Sequence, residues 1–171
     1  MKIHKLFLTE NNCYKTGRTQ EINGVMWHST GANNPYLSRY VGPDDGVLGY
    51  NKYNNHWNQP KPDGQNKCVH AFIGYTKDKK DVAVYQTLPW NHVGWHSGSG
   101  SRGSANTLGY VSFEMCEDGL NNKEYFDKVY QLGIELTAKI LLDNNLPCSA
   151  NTVMDHAEGH RKGIASNHGD V

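Results

Sequence analysis

Apolar residues in this chain fall in short runs separated by polar, glycine-rich segments, and only one stretch keeps a helical period for long. Residues 22–28, Ile22-Asn-Gly-Val-Met-Trp-His28, predict a strand, with His28 at its C-terminal edge where the turn-forming cluster Ser29-Thr-Gly-Ala-Asn-Asn-Pro35 begins. A short helix is expected over 35–41. Residues 42–66 are rich in Gly, Pro, Asn and Asp and predict a long loop punctuated by Tyr50, Tyr53 and Trp57. Aromatics in such a loop serve either as a groove wall or as anchors that pack the loop down.

Two strand-like runs follow, 68–75 and 82–87, joined by the charged turn Thr76-Lys-Asp-Lys-Lys-Asp81, and together they predict an antiparallel hairpin. Residues 108–116 predict a further strand. Its alternation sets Val111, Phe113 and Met115 on one face and Tyr110, Ser112, Glu114 and Cys116 on the other. The long helix covers 123–144, with Phe126, Val129, Tyr130, Gly133, Leu136 and Ile140 at helical spacing. Asn121 or Asn122 supplies its N-cap, Glu124 is placed to close a capping box with Asn121, and Asn144-Asn-Leu-Pro147 ends it. These elements describe one domain over residues 1–171, of class α/β or α+β, with a mixed β-sheet flanked by helices.

Composition narrows the function. At 171 residues a single core buries most of the apolar surface, and 17 basic residues balance 17 acidic ones. The broad positive footprint of a nucleic-acid binder is therefore missing. No run is long enough to span a bilayer, and the first residues lack an apolar core of signal-peptide length, so the expectation is a product made in the cytoplasm. Cys13, Cys68, Cys116 and Cys148 form no Cys-x-x-Cys pair and read as reduced structural thiols.

The candidate chemistry collects at one end. The last sixteen residues hold His156, His160 and His168, three of nine histidines, together with the carboxylates Glu158 and Asp170. Zinc takes imidazole nitrogen and carboxylate oxygen, and catalytic sites keep three protein ligands plus water. His28, His156 and Asp170 satisfy that count, while His160 and His168 compete with His156 on spacing alone. Glu114, on the polar face of an apolar strand, is a candidate general base, or else a sheet-edge carboxylate facing solvent or a cation. Gly98-Ser-Gly-Ser-Arg-Gly103 matches a dinucleotide fingerprint, but it precedes a strand instead of following one and reads as a mobile loop. There is no G-x-S-x-G elbow, and His156-Ala-Glu-Gly-His160 permutes the zinc-protease His-Glu-x-x-His. The histidines and asparagines near Asn167-His168 admit a metal-dependent nuclease of HNH type, against which the neutral charge argues.

Taken in order, Trp27-His28-Ser29-Thr30-Gly31, Val69-His70-Ala71-Phe72, Gln86-Thr-Leu-Pro89, Trp95-His96-Ser97-Gly98, Val111-Ser-Phe-Glu114, His156-Ala-Glu158 and His168-Gly-Asp170 resemble the type 2 zinc-dependent N-acetylmuramoyl-L-alanine amidases. That family shares its fold with the peptidoglycan recognition proteins and the phage lysozyme-like amidases. The resemblance covers nearly the whole chain. It implies Zn2+ on His28, His156 and Asp170, Glu114 as catalytic base, and His168 polarising the scissile carbonyl. It also implies a substrate groove along His70, His96 and Trp95, with Trp57 of the aromatic loop beside them. Many relatives carry Lys at the position of His168, and the thirteen residues between His156 and Asp170 are more than several relatives have.

The implied activity is cleavage of the amide between N-acetylmuramic acid and L-alanine in peptidoglycan. The implied setting is a phage or prophage endolysin, with a secreted autolysin as the other possibility. Because the chain ends one residue after Asp170, a catalytic fragment that has lost a wall-binding module is expected. A non-catalytic peptidoglycan-binding module on the same fold is the alternative reading.

Overall fold

The computed structural model describes residues 1–79 and 81–168. Six strands form one mixed sheet: β1 (Ile3–Lys5), β2 (Gly24–Asn33), β3 (Ala71–Tyr75), β4 (Val82–Gln86), β5 (Tyr110–Glu117) and β6 (Val153–Asp155), in the order β1-β4-β3-β5-β2-β6. The hairpin of β3 and β4 is the one antiparallel pair, and every other neighbour is parallel. Three α-helices accompany the sheet: α1 (Asn12–Lys15), α2 (Lys123–Asp143) and α3 (His156–Arg161). No helix among the described residues is long and apolar enough to cross a membrane.

The alternation of β5 holds as expected and divides the core. Val111 and Phe113 pack with Val25, Ala71, Ile73 and Val84 against Tyr125, Val129, Leu136 and Ile140 of α2. The opposite face carries Met26 and His28 of β2, Phe72 of β3, and Ser112, Glu114 and Cys116 of β5. Loops cover that second face, with Tyr40, Leu37, Leu48 and Trp57 packing on Phe72 and Cys116. One face is thus sealed by a helix and the other is left to irregular chain, where functional groups collect.

Several boundaries differ from expectation for identifiable reasons. β2 does not stop at His28 but runs through Gly31, at φ +59, to Asn33. Ser29 Oγ donates to Glu117 Oε1 at 2.6 Å, the Gly31 amide donates to the same oxygen at 3.1 Å, and Thr30 Oγ1 accepts from the Glu117 amide at 3.1 Å, so the turn formers are stitched to β5. His28 consequently sits inside a strand, not at its edge. The helix expected over 35–41 is a single 3₁₀ turn at Leu37–Arg39.

α2 starts on Asn122, whose side chain accepts from the Tyr125 amide, and Glu124 pairs with Lys128 at 2.8 Å instead of closing a capping box. Its buried stripe includes Tyr125, while Phe126 and Tyr130 are 42% and 45% exposed. The Tyr125 hydroxyl donates to the Cys116 carbonyl at 2.6 Å, which rotates that side chain inward. The run 98–103 is no loose loop either. The Arg102 amide donates to Gly163 O at 2.7 Å and the Ala105 amide to Ile164 O at 2.7 Å, which fastens this segment to the chain after α3. All four cysteines are free thiols; Cys13, Cys68 and Cys116 are buried and Cys148 is exposed.

Gly133 is where α2 lies closest to the sheet. A Cβ there would stand 2.9 Å from Trp27 Cη2 and 3.0 Å from Cζ3, and Trp27 is itself held against Phe113 and Tyr130 at ring distances of 4.8 and 5.4 Å. Gly133→Val gains a few tenths of a kcal/mol in helix propensity, but overpacking costs about 1–3 kcal/mol. Urea unfolding should show the net loss; a variant as stable as the parent would mean that Trp27 moves aside freely.

Candidate metal centre and substrate cleft

Parallel pairing builds the site. In the β2–β5 register His28 lies opposite Glu114, and in the β2–β6 register Trp27 lies opposite Asp155, so His156 follows one step beyond the pair. α3 begins there because Asp155 caps it. Asp155 Oδ1 accepts from the Glu158 amide at 2.6 Å and Glu158 Oε2 accepts from the Asp155 amide at 3.2 Å, a complete capping box. His156 is therefore the first helical residue, fully buried. Gly159, which on propensity alone weakens a helix, lets α3 approach β2: a Cβ there would lie 2.6 Å from Met26 Cε.

Two imidazoles meet at this junction. His28 Nδ1 and His156 Nδ1 are 3.2 Å apart with the rings nearly perpendicular. The remaining nitrogens are also engaged. His156 Nε2 lies 2.9 Å from the Ser166 carbonyl, which can only accept, so the proton of neutral His156 is on Nε2 and its Nδ1 lone pair faces His28. His28 Nε2 lies 3.0 Å from His96 Nδ1. Two nitrogens bound at about 2.0–2.1 Å to a tetrahedral ion stand about 3.3 Å apart, so the spacing and the donor type both suit a cation such as zinc. Among the described residues no group of three His, Cys, Asp or Glu side chains gathers around one point. Asp170, expected as third ligand, lies outside the described residues.

Beside this pair opens a cleft of about 560 Å³ lined by Trp57, Lys67, Trp95, His96, Glu114 and His168 among others. Glu114 is 8% exposed, and its charge adds to the burial that pushes the Cys116 thiol well up. The His168 ring stacks on His156 at 5.5 Å. Trp57 packs edge-on against Phe72 at 5.0 Å, with Lys67 Nζ 4.6 Å from its ring centre. His96 is held well below the ordinary histidine range, first by burial and then by the neighbouring His28, His70 and His156.

Residues 18–170 match the Amidase_2 family, described as N-acetylmuramoyl-L-alanine amidase. The chain belongs to that family. Over 76 residues, 44% of the chain, it is 33% identical to the N-acetylmuramoyl-L-alanine amidase CwlH of Bacillus subtilis (strain 168), and the match spans 28% of the length of CwlH. Among solved structures, the Staphylococcus aureus hydrolase AmiA in complex with its ligand is similar with a TM-score of 0.64 and 18% identity, covering 99% of this chain and 74% of that one. A mutant endolysin from Bacillus subtilis is similar with a TM-score of 0.58 and 20% identity, covering 95% of this chain and 89% of that one. At these identities the two structures speak for the fold, the mixed sheet and helices of such amidases.

Within this family member the expected groove residues separate into two kinds. Trp57, Trp95 and His96 line the cleft together with Glu114 and His168. His70 does not. It is fully buried, its Nδ1 accepts from the Ser112 amide at 3.0 Å, and its Nε2–H donates to the His92 carbonyl at 2.8 Å, so both nitrogens serve the fold. Tyr50 and Tyr53 are 83% and 72% exposed and lie away from the cleft, so Trp57 alone among the three loop aromatics lines it. His160 is exposed, and its Nδ1 lies 3.3 Å from the Ala165 carbonyl.

Two supporting residues escaped the sequence reading. Asn106 accepts from the His96 and Ser97 amides at 2.8 and 3.0 Å, and Ser166 supplies the carbonyl at His156. Neither has a sequence signal. The capping box Asp155-x-x-Glu158 did have one and marks where α3 starts.

His70 makes a prediction about stability. Burial pushes its pKa down to about 4 from the ordinary 6.5, with the His92 carbonyl only partly opposing. Between those values the unfolded chain holds a proton that the folded one lacks. Stability therefore falls as pH drops from about 6.5 to about 4, by about 3 kcal/mol in total. His70→Leu, which leaves the Ser112 amide and His92 carbonyl without this partner, should cost about 2–5 kcal/mol at pH 7. Denaturant titrations of both proteins should show the gap narrowing toward pH 4; a gap independent of pH would remove His70 from the acid response.

Proposed function

We propose that this protein hydrolyses the amide between the lactyl group of N-acetylmuramic acid and L-alanine in peptidoglycan, using zinc held by His28, His156 and Asp170. The observation that carries the reading is the 3.2 Å approach of the His28 and His156 Nδ1 atoms beside a cleft lined by Glu114 and His168. Family membership supports the bond cleaved. Bound there, zinc would supply Lewis acidity toward a carbonyl oxygen and an acidified water.

The chain's own groups supply the remainder. Glu114, largely desolvated on the cleft wall, takes the proton of the attacking water as it adds to the carbonyl carbon, and returns that proton to the alanine nitrogen as the carbon–nitrogen bond breaks. His168 donates a hydrogen bond to the carbonyl oxygen as negative charge grows on it, and does so best as the cation. Trp57 and Trp95 offer flat apolar surfaces to the sugar and peptide flanking that bond, and the cleft walls keep bulk water from the developing charge. Free peptidoglycan fragments or intact wall are the partners this chemistry requires. A wall-lysing enzyme of endolysin type is the setting this reading takes, with an autolysin as the other.

Purified cell walls provide the test. The protein should release new L-alanine amino termini and no new reducing sugar ends, and dialysis against a chelator should stop it until zinc is restored. Glu114→Gln should keep bound zinc and lose about 10²–10⁴-fold in turnover. His28→Ala should lose the metal. New reducing ends without alanine termini would overturn the amidase assignment. Bound zinc with no cleavage of any wall would instead leave a binding module.

A further inference from the structure

One half-buried histidine has no task in the reaction above. His96 lines the cleft, but its Nδ1 is turned inward and lies 3.0 Å from His28 Nε2, with the rings edge to face at a centroid distance of 5.1 Å. We propose that His96 is the positioning residue of the metal centre, its Nδ1 accepting the Nε2 proton of His28 and so holding that ring with Nδ1 toward the ion. This rests on the zinc reading above and extends it to a residue that touches neither metal nor reacting atoms.

Proton inventory fixes the arrangement. A ligating imidazole gives one nitrogen's lone pair to the metal and carries its proton on the other, and a buried N–H left without an acceptor costs about 1–3 kcal/mol. The Ser166 carbonyl meets this need for His156 and can do nothing else. The partner of His28 is another imidazole, able to accept or donate. With His28 Nδ1 committed to a cation, its proton must sit on Nε2, His96 Nδ1 must be the acceptor, and the His96 proton is driven to Nε2. The loaded site therefore has a single arrangement, with all three rings protonated on Nε2.

The backbone around His96 is built to hold that acceptor still. Its amide donates to Asn106 Oδ1 at 2.8 Å. Trp95 is bridged to Cys68 by two backbone bonds of 2.9 and 3.0 Å. The next carbonyl, Ser97 O, accepts from the Ser166 amide at 2.8 Å, so the supports of His28 and His156 belong to one braced unit. A residue serving only to fill space would need none of this.

Zinc affinity, read by competition with a chromophoric chelator, tests the inference without reference to activity. His96→Leu keeps much of the volume but offers no acceptor, whereas His96→Asn returns an oxygen near the Nδ1 position. The expected result is about 10–100-fold weaker zinc binding for His96→Leu, with most of the affinity regained in His96→Asn. Metal-free melting temperatures serve as the check on folding. A His96→Leu affinity within twofold of the parent, or a His96→Asn affinity no better than His96→Leu, overturns the inference.

Should His96→Leu fail to fold, long-range proton–nitrogen spectra of the zinc-loaded parent decide the matter. His28 and His96 both protonated on Nε2 support it, and a His96 proton on Nδ1 overturns it. Failure of the underlying reading looks different: a parent chain that binds no zinc, or one whose binding survives both His28→Ala and His156→Ala, removes the site and the inference together.

Discussion

Parallel pairing of β2 with β5 on one side and β6 on the other is the constraint on which everything functional here depends. It brings residues from three distant segments to one level of the sheet: His28, Glu114 opposite it, and His156 just past the end of β6. A slip of one residue in β2 would turn His28 toward α2 and Trp27 toward the cleft, because successive side chains face opposite ways. What prevents the slip is packing on the far face. Trp27 and Phe113 are register partners, and a Cβ on Gly133 of α2 would stand 2.9 Å from Trp27 and 3.3 Å from Phe113. The helix side of the sheet thus sets the geometry of the chemical side without contributing an atom to it.

The buried histidines show how one side-chain type is given different work. His70 hands its proton to the His92 carbonyl, and His92 Nε2 lies 2.9 Å from the Cys13 carbonyl, so these two rings knit loops to the sheet. His28 and His156 keep their Nδ1 atoms turned toward each other instead. The acceptor offered to one nitrogen decides which tautomer a neutral ring takes. Assignment of role therefore lies in the acceptors, not in the histidines.

This explains what could be read in the sequence. The alternation of β5, the hairpin of β3 and β4 and the long helix were legible because each has a period extending over several residues. β1 and β6, at three residues each, are too short to show one and exist because β4 and β2 offer free edges. The inward turn of Tyr125 at the expense of Phe126 depends on a carbonyl of β5, which no helical period reports. At the site, motif order singles out His28, Glu114 and His156, and the sheet register brings these three to one level. His70 and His96 stand in similar local settings, each directly after an apolar or aromatic residue. They are told apart by what the fold offers each ring, the His92 carbonyl and Ser112 amide for His70 and the cleft and His28 for His96, which is a tertiary fact.

The run Gly98–Gly103 shows why a local reading of glycine and serine misleads. Glycine and serine in succession suggest freedom, yet Gly100 lies where a Cβ would meet the Gly163 backbone, and a Cβ at Gly98 would stand 2.6 Å from Ser166 Oγ. The glycines are small so that two backbones can touch, the same reason Gly159 lets α3 lie against Met26. That contact carries Ser166 to the carbonyl of Ser97 and so ties the loop bearing His96 to the segment bearing His168. Side chains larger than hydrogen would force these segments apart and separate the acceptor at His156 from the one at His28. The composition that reads as flexibility is therefore what permits a rigid site to be assembled from two pieces of irregular chain.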